Sequence, residues 1–431
     1  MPLDAIATLT KGKAATKLKA NPVQVTIERL GHLGDGIAHG PQGAVFATQV
    51  LPGEAVTGDL HGDRLLDIRI VTPSPNRVRP PCVHARTCGG CLMQHADDGF
   101  VADWKQGIVA GALTGQGLSA PFRPMHTSPP RSRRRATLTG RRTKGGVLLG
   151  FHARASDLLV SVPECQLLHP DVIATFPALD ALVRVGGTRS TELHLTVTRS
   201  LAGADVRVTG GKDLTADLRM DLARLTESHG LARLTWGDET VALRAAPMQR
   251  FGRVLVAPPP GAFLQATAEG ETALLRAVAL AIGPARRIAD LFCGVGTFAL
   301  PLAERSEVLA VEGDPAMTAA LEKAHRGAEG LKRITTQTRD LFRRPLEPDE
   351  LASFDAVVID PPRAGAEAQS KALAAAKVPV IAAVSCNPVT FARDARILTQ
   401  AGYSLDWVQV IDQFRWSAHV ELAARFSLPP R

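Results

Sequence analysis

The sequence has few aromatic residues, few cysteines and no long hydrophobic run. Aromatic residues make up 4% of the 431 residues, so extensive stacking on nucleic-acid bases is not signalled. Six cysteines are too few for a disulfide framework. No N-terminal segment has the charged and then apolar pattern of a secretion signal, and no apolar run has the length of a membrane span. We therefore expect a cytoplasmic, monomeric protein with no membrane partner.

Positive charge is in excess. The 50 lysines and arginines outnumber the 42 aspartates and glutamates, which gives a formal net charge of +8. Such a balance favours a polyanionic partner. With 45% hydrophobic residues the chain can bury a substantial core, and its length suffices for two or three domains.

The first part of the chain changes from a basic tail to a strand-rich segment. Residues 1–20 are rich in alanine and lysine, which predicts a mobile tail, either a nucleic-acid arm or a solvated terminus. Residues 21–75 contain short apolar runs separated by glycine-rich turns. That spacing predicts a five-stranded β-barrel of OB type.

Residues 76–255 are predicted to form a central, mostly antiparallel domain. A proline-rich linker and a group of cysteines come first, and a helix is predicted over 100–118. Strand-like alternation recurs across 185–256. A basic run at 131–144 lies at the start and turn of a predicted hairpin, where we expect contacts with phosphate groups. A solvated charged hairpin is the alternative.

Residues 256–431 alternate between strand and helix patterns, which predicts a doubly wound α/β domain. The predicted strands are short apolar runs at 287–291, 307–312, 334–338, 355–360 and 378–385, with 405–412 and 420–426 completing the sheet. The predicted fold class is therefore α/β. A Rossmann-like domain follows the OB-type barrel and the central antiparallel domain.

A glycine-rich turn, Asp-Leu-Phe-Cys-Gly-Val-Gly at 290–296, follows the first of these strands. Gly294 and Gly296 permit a tight turn and the close approach of a ligand to the backbone. Glu312 ends the next strand, where a carboxylate can accept both hydroxyls of a ribose. No Lys-Ser/Thr pair follows the glycines, which disfavours a nucleoside triphosphate and favours S-adenosylmethionine. An ordinary strand–helix turn is the alternative.

Asp360 and Cys386 end two later strands. Asp360 begins Asp-Pro-Pro-Arg, and Arg363 stands where aminomethyltransferases usually have an aromatic residue, which argues against methylation of an exocyclic amine. Cys386 suits another reaction, because a thiolate that adds to C6 of uracil makes C5 nucleophilic enough to take a methyl group. A small buried cysteine without chemistry is the alternative.

This reaction needs a thiolate and a base. A free cysteine has a pKa of about 8.5, so we expect a helix predicted at 389–398, or the cation of Arg363, to favour the thiolate of Cys386. A base must later remove the C5 proton, and Glu421 is the candidate. A carboxylate inside the last strand is otherwise costly to bury, although a solvated edge position is the alternative.

Four cysteines, Cys82, Cys88, Cys91 and Cys165, supply enough thiolates for a [4Fe–4S] cluster or a zinc site. Structural zinc sites more often have two Cys-x-x-Cys pairs, so the asymmetric spacing favours iron–sulfur. The spacing of radical S-adenosylmethionine enzymes is absent, and we expect a role in structure or RNA recognition. Four unrelated thiols are the alternative.

Together these motifs resemble the uracil-C5 RNA methyltransferase family, and within it the ribosomal-RNA branch with an iron–sulfur cluster and a TRAM domain, a small RNA-binding barrel. The resemblance runs from about residue 22 to the C-terminus. Its most specific segments are Cys-Gly-Gly-Cys-Leu-Met-Gln-His (88–95), Asp-Leu-Phe-Cys-Gly-Val-Gly (290–296), Asp-Pro-Pro-Arg-Ala-Gly (360–365) and Ser-Cys-Asn-Pro (385–388). The chain departs from the family pattern at Thr267 and Thr297, where asparagine is common.

The resemblance implies a full set of site residues. The nucleophile would be Cys386 and the base Glu421. The contacts to S-adenosylmethionine would be Gln265, Phe292, Thr297, Glu312, Asp340 and Asp360. The ligands of the [4Fe–4S] cluster would be Cys82, Cys88, Cys91 and Cys165.

RNA is the expected partner. The barrel and the cysteine group favour ribosomal RNA, because the transfer-RNA branch of the family commonly lacks both. The same reaction on the T-loop of transfer RNA is one alternative, and an RNA-binding protein with an inactive methyltransferase domain is another. Methylation of cytosine C5 is disfavoured, since Arg363 stands where the cytosine enzymes usually have a second cysteine.

Overall fold

The computed structural model describes residues 22–40 and 42–429. The chain separates into two compact units, Met1–Arg77 and Val78–Arg431. The basic tail predicted at 1–20 lies outside the described residues. The domain boundary predicted near residue 255 falls within the second unit and stays a prediction.

The first unit is rich in strands. Alternate side chains of its short apolar runs, among them Val25, Val45 and Val56, are buried in a small core. The strands are β1 (Pro22–Thr26), β2 (Arg29–Leu30), β3 (Gly36–Gly40), β4 (Gly43–Ala47), β5 (Ala55–His61) and β6 (Arg64–Thr72). They form one sheet in the order β1-β5-β6-β4-β3-β2. This agrees with the predicted OB-type barrel, with one described strand more than the five expected, because the two-residue β2 pairs with β3.

The first half of the second unit is mostly antiparallel, as predicted. Its elements are α1 (Asp98–Thr114), β7 (Phe122–Thr127), β8 (Arg135–Thr143), β9 (Gly146–His152), β10 (Leu159–Ser161), α2 (Pro170–Ile173), α3 (Phe176–Gly186), β11 (Glu192–Ser200), β12 (Gly203–Thr209), α4 (Ala216–Ser228), β13 (Arg233–Trp236), β14 (Glu239–Leu243), β15 (Gln249–Phe251) and β16 (Val254–Val256). Seven strands form a sheet in the order β10-β9-β8-β11-β12-β13-β14. Only β12 and β13 are parallel neighbours among these described strands.

The second half alternates strand and helix. Its elements are α5 (Ala268–Ile282), β17 (Arg287–Leu291), α6 (Ala299–Leu302), β18 (Glu307–Glu312), α7 (Pro315–Arg326), β19 (Ile334–Thr338), α8 (Pro348–Leu351), β20 (Ala356–Ile359), α9 (Glu367–Ala376), β21 (Val380–Ser385), α10 (Pro388–Gln400), β22 (Ser404–Asp412) and β23 (Leu422–Ser427). The predicted strands are confirmed to within two residues at each end. The eight-stranded sheet has the order β19-β18-β17-β20-β21-β23-β22-β7.

The topology of this sheet brings its loops to one edge. Strands β17 to β21 run parallel, and β17 lies between β18 and β20, so the chain order reverses there. In open α/β sheets, ligands bind at the carboxyl ends of strands around such a reversal. All four residues of β20 are buried, as expected for a parallel strand covered on both faces.

Strand β7 belongs to this sheet and helix α1 packs against it, although the sequence pattern places both in the central domain. β7 pairs in parallel with β22, with Phe122 opposite Val408 and Thr127 opposite Asp412. The pattern at 122–127 does not predict a strand, because Pro124 interrupts it. A proline is tolerated there because β7 is an edge strand.

Among residues 22–40 and 42–429, no helix combines the length and hydrophobicity needed to cross a bilayer.

Candidate active site

Four polar side chains form a hydrogen-bonded chain at the carboxyl edge of the eight-stranded sheet. Asp360 follows β20, and its Oδ2 accepts a hydrogen bond from Gln265 Nε2 at 3.3 Å. Gln413, one residue beyond β22, donates through Nε2 to Gln265 Oε1 and, at 2.9 Å, to Glu421 Oε2. The structure thus brings together the predicted Gln265, Asp360 and Glu421 through a glutamine that sequence reasoning missed.

Gln413 has a fixed orientation. Its Oε1 accepts a hydrogen bond from the Ala266 N–H at 2.6 Å, which directs its amide nitrogen at Gln265 and Glu421. Gln413 and Glu421 are 1% and 2% exposed. A buried polar group left unpaired is costly, so these bonds hold the Glu421 side chain in one position. Nothing in the local sequence marks this glutamine, because its role depends on contacts through space.

Cys386 lies between the end of β21 and the start of α10. Asn387 caps that helix by accepting a hydrogen bond from the Val389 N–H at 3.1 Å. Cys386 is half-buried, and its thiol interacts electrostatically with Glu421 and Asp360. The predicted nucleophile and the predicted base therefore share one edge of the sheet.

The surroundings raise the pKa of Cys386 to about 11. Burial is the largest cause, the charges of Glu421 and Asp360 add to it, and the Arg363 guanidinium opposes them. In the ligand-free protein the net effect therefore favours the thiol over the thiolate. Arg363 acts in the expected direction, but burial and two carboxylates outweigh it. The Arg363 carbonyl accepts a hydrogen bond from Asn387 Nδ2 at 2.9 Å, which ties its loop to the start of α10.

Asp360 and Glu421 hold protons more tightly than ordinary carboxyl groups. Burial raises the pKa of Asp360 to about 7, against the opposing hydrogen bond from Gln265. Burial, and then the charge of Asp360, raise the pKa of Glu421 well above its usual range. The charge of Asp360 therefore favours the protonated form of Glu421.

The turn after β17 leaves room for a ligand near the backbone. Gly294 and Gly296 have φ values of 56° and 93°, and a Cβ built on Gly294 would meet no atom within 4 Å. A Cβ on Gly296 would meet the Leu321 side chain at 2.5 Å. Phe292 also has a left-handed φ of 61°. That conformation costs a non-glycine residue about 1–3 kcal/mol and tends to persist at functional sites.

Glu312 and Asp340 are positioned around this turn by backbone amides. The Glu312 carboxylate accepts three backbone hydrogen bonds, from Gly294 at 2.9 Å, Gly313 at 2.7 Å and Asp314 at 3.0 Å. Asp340 accepts two, from the N–H groups of Phe342 at 3.0 Å and Arg343 at 3.3 Å. The Phe342 ring packs against Phe292, with ring centroids 5.3 Å apart. Thr297 is half-buried in the same turn.

Asp290 adds an unusual acidic group to this edge. Its side chain is fully buried, and within the described part of the chain neither carboxyl oxygen accepts a well-aligned hydrogen bond, although the Ala299 backbone interacts with the carboxyl group. Burial, and then the charges of Asp360 and Glu312, raise its pKa well above the usual range. S-adenosylmethionine carries a sulfonium and an ammonium cation, and a concentration of buried acidic groups fits such a ligand.

The four predicted cluster cysteines influence one another electrostatically. The pKa of Cys91 is raised to about 12, first by burial and then by Cys165, Cys88 and Cys82. Residues 22–40 and 42–429 contain no group of three or more His, Cys, Asp or Glu side chains arranged for a metal ion. The chemistry of the donor set, four soft thiol ligands, nevertheless fits an iron–sulfur cluster.

The cysteine segment is hydrogen-bonded to the loop that precedes Glu421. The N–H groups of Leu92 and Met93 both donate to the Trp416 carbonyl, at 2.6 and 3.0 Å. Trp416 has a left-handed φ of 60°, and its side chain is 5% exposed. One carbonyl thus fastens the residues next to Cys91 to the loop of the candidate base.

Part of the basic run at 131–144 is engaged in internal contacts. Arg134 is buried, forms an ion pair with Glu271 and donates Nε–H to the Gln265 carbonyl at 3.0 Å. The expectation of a phosphate contact is therefore wrong for Arg134, whose guanidinium is engaged by Glu271 and the Gln265 carbonyl instead. The exposed basic residues of the run are Arg131, Arg142 and Lys144.

Known proteins resemble the chain over nearly its whole length. The model of the tRNA (Uracil-5-)-methyltransferase family matches residues 258–426. An uncharacterized RNA methyltransferase of Brucella suis biovar 1 (strain 1330) is 44% identical over 406 residues, which cover 93% of this chain and 97% of the relative. The 23S rRNA (uracil(1939)-C(5))-methyltransferase of Chromohalobacter salexigens is 33% identical over 436 residues, covering 95% of this chain and 90% of the relative.

A solved structure shares the fold. The crystal structure of Pyrococcus abyssi tRNA (uracil-54, C5)-methyltransferase in complex with S-adenosyl-L-homocysteine matches with a TM-score of 0.73 and 22% identity, covering 94% of this chain and 99% of that one. The sequence relatives are similar enough, over enough of their length, to settle the classification. This chain belongs to the uracil-C5 RNA methyltransferase family.

Proposed function

We propose that Cys386 and Glu421 are the nucleophile and base of an S-adenosylmethionine-dependent enzyme that methylates C5 of a uridine in ribosomal RNA. One observation carries the assignment of residues. A hydrogen-bonded series of side chains lies at the strand ends beside Cys386, and it runs from Asp360 through Gln265 and Gln413 to Glu421. This chemistry requires a thiol, a positioned carboxyl group and acidic side chains near the cofactor.

The reaction begins when the Cys386 thiolate adds to C6 of the uracil, which moves electron density onto C5 and O4. S-adenosylmethionine, when bound, supplies the methyl group as an electrophile on its sulfonium. C5 forms the new bond to the methyl carbon as the sulfur–methyl bond breaks. The carboxylate form of Glu421 then takes the C5 proton, the C5–C6 double bond re-forms, and Cys386 leaves as a thiolate.

Six residues would hold the cofactor: Gln265, Phe292, Thr297, Glu312, Asp340 and Asp360. Glu312 ends the second strand of the domain, where a carboxylate suits the ribose hydroxyls. Asp360 provides buried negative charge for a cationic ligand, and Gln265 fixes its orientation through their hydrogen bond.

Ribosomal RNA is the proposed substrate class. The Chromohalobacter relative, named for 23S rRNA, aligns with 95% of this chain, and that likeness supports the choice. Transfer RNA is the second candidate, because the matching family model and the Pyrococcus abyssi structure are both named for it. A cytoplasmic location and a monomeric state stay predictions.

We further propose that Cys82, Cys88, Cys91 and Cys165 hold a [4Fe–4S] cluster with a role in structure or RNA recognition. The strand-rich first unit would be a TRAM-type RNA-binding barrel. Four thiols form the soft donor set that such a cluster takes, and this chemistry supports the proposal. Anaerobically purified protein should contain about four irons per chain. Cys91→Ser should lose them, whereas Cys386→Ala should keep them; iron-free wild type would refute the cluster.

The function is tested by incubating the purified protein with S-adenosylmethionine labelled in the methyl group. Unmodified large-subunit ribosomal RNA and transfer RNA serve as separate substrates, and the RNA is digested to nucleosides. Label in 5-methyluridine from ribosomal RNA is the expected result, and label from transfer RNA alone would overturn the substrate class. Cys386→Ala should abolish turnover while S-adenosylmethionine still binds. Retained methylation would remove Cys386 as the nucleophile.

A further inference from the structure

A second concave surface lies beside the site, at the edge of the eight-stranded sheet. A cavity of about 540 Å³ opens where β7, β22 and α5 meet. Its polar lining includes Arg123 and His126 of β7, Gln409 of β22, and Glu269 and Arg276 of α5. The reaction described above uses none of these residues.

The charge of this groove is mainly positive. Arg123 and Arg276 are exposed, and neither has an ion-pair partner among the residues that the structure describes. The Arg123 guanidinium lies over the Trp407 ring at 5.3 Å from its centroid, so an aromatic face supports this cation. Nε2 of His126 has no hydrogen-bond partner in that same part of the chain. Glu269 is the one acidic residue of the lining.

The groove lies along elements that lead to the edge carrying Cys386 and Glu421. Helix α5 begins at Ala268, two residues after Ala266, whose N–H holds Gln413. Within the β7–β22 pair, Thr127 lies opposite Asp412 at this edge, and Arg123 lies opposite Gln409 further back along the same strands. The groove therefore starts near the reacting groups and runs away from them along the outer strand.

We propose that this groove binds the phosphate backbone of the RNA strand that flanks the target uridine. The proposal rests on the proposed function, since it assigns a path to that substrate. Two arginines without ion-pair partners among the described residues suit phosphate oxygens, because a guanidinium offers a planar fork of donors that matches them. A base drawn out of its stack must stay connected to neighbouring nucleotides, and the groove offers their phosphates cationic partners next to the site.

The test compares RNA binding by the full-length protein and by the double variant Arg123→Gln/Arg276→Gln, in the absence of a methyl donor. Fluorescent oligouridines of about 6 and about 20 nucleotides serve as probes, and the longer one exceeds common single-strand site sizes of about 4–16 nucleotides. The longer probe should bind the variant roughly tenfold more weakly. For the longer probe, the slope of log affinity against log salt concentration should become less negative by about 1.4, as expected for two lost single-strand phosphate contacts. The short probe should be affected less.

A matched control is the double variant Lys323→Gln/Arg326→Gln. These exposed cations lie in the last turn of α7, which packs beside the opposite edge of the same sheet. This variant should keep the wild-type affinity and salt dependence, and thermal unfolding should show that both variants are folded. Unchanged binding of the long probe by the groove variant, or an equal loss in the control, would overturn the proposal. The binding test measures no methyl transfer. An enzyme that fails to methylate RNA would therefore refute the proposed function, whereas the binding results alone decide the proposal about the groove.

Discussion

Lys105 and Asp412 form a buried ion pair that joins helix α1 to the end of β22, with Nζ and Oδ1 2.6 Å apart. Their side chains are 0% and 1% exposed. Lys105 Nζ also donates to the Phe414 carbonyl at 3.1 Å, and the Phe414 N–H donates to Asp412 Oδ1 at 3.0 Å. One lysine thus anchors the start of the loop that runs from Gln413 to the candidate base.

Removal of this lysine should destabilise the protein strongly. Lys105→Met leaves the Asp412 carboxylate buried without its cation, which should lower the free energy of unfolding by about 3–5 kcal/mol. The double variant Lys105→Met/Asp412→Leu should recover most of that loss, because neither charge is then buried. Urea unfolding of the three proteins measures the difference.

An exposed pair provides the comparison. Lys371 and Glu367 form an ion pair on α9 at 2.7 Å with side chains 64% and 46% exposed, so Lys371→Met should cost less than about 1 kcal/mol. An equal loss in Lys105→Met and Lys371→Met would show that the buried pair has no special role.

The elements that sequence patterns predict well are those whose residues are buried as continuous runs. Strands 287–291 and 307–312 match the predicted bounds to the residue, because central parallel strands are largely apolar on both faces. Strand β7 does not follow from its own sequence, since it owes its conformation to pairing with β22, more than 280 residues later.

The same distinction holds at the candidate site. Glycine turns and the residues at strand ends mark where Glu312, Asp360 and Cys386 lie, because topology brings strand ends to one edge. Gln413 carries no such mark, and its role follows from bonds to Gln265 and Glu421. The raised pKa of Cys386 also depends on burial and on neighbours distant in sequence, which a local motif does not reveal.

Substitution of the candidate base should trap the covalent species. Glu421→Gln keeps the shape of the side chain but cannot take the C5 proton, so Cys386 should still add to the uracil and then fail to leave. Loss of a general base slows its step by roughly 10²–10⁴-fold. A protein–RNA band should accumulate on a denaturing gel. It should be absent from Cys386→Ala/Glu421→Gln, and rapid free turnover by Glu421→Gln would refute the assignment.

Arg363 should set the reactivity of Cys386. Its guanidinium lowers the pKa of that thiol, so Arg363→Gln should move the pKa above about 11 and reduce the thiolate fraction at a given pH. Alkylation of Cys386 by iodoacetamide, followed by peptide mass spectrometry, should slow by up to about tenfold, the effect of one pKa unit. Arg396→Gln removes an exposed arginine from the far half of α10 and should leave the rate unchanged. Equal rates in wild type and Arg363→Gln would exclude an electrostatic role.

Asp360 should make the stability of the ligand-free protein fall as pH rises through neutrality. Burial raises its pKa from the ordinary value of 3.8 to about 7. A group whose pKa is raised on folding adds stability that is fully present below the unfolded-state value and is lost as pH rises through the folded-state value. The loss is therefore expected between about pH 4 and pH 7. The free energy of unfolding of wild type minus that of Asp360→Asn, from urea unfolding at several pH values, should decline over this window.

The same titration should appear in ligand binding, with a sign set by the charge of the ligand. S-adenosylmethionine and S-adenosylhomocysteine differ by one methyl group and by the positive charge of the sulfonium. If Asp360 lies near that charge, it must be ionised to attract it, so the affinity for S-adenosylmethionine should increase as pH rises through about 7. The affinity for S-adenosylhomocysteine should change much less, and Asp360→Asn should remove the difference between the two ligands. Parallel pH profiles for the two ligands in wild-type protein, measured by calorimetry, would place Asp360 away from the sulfonium.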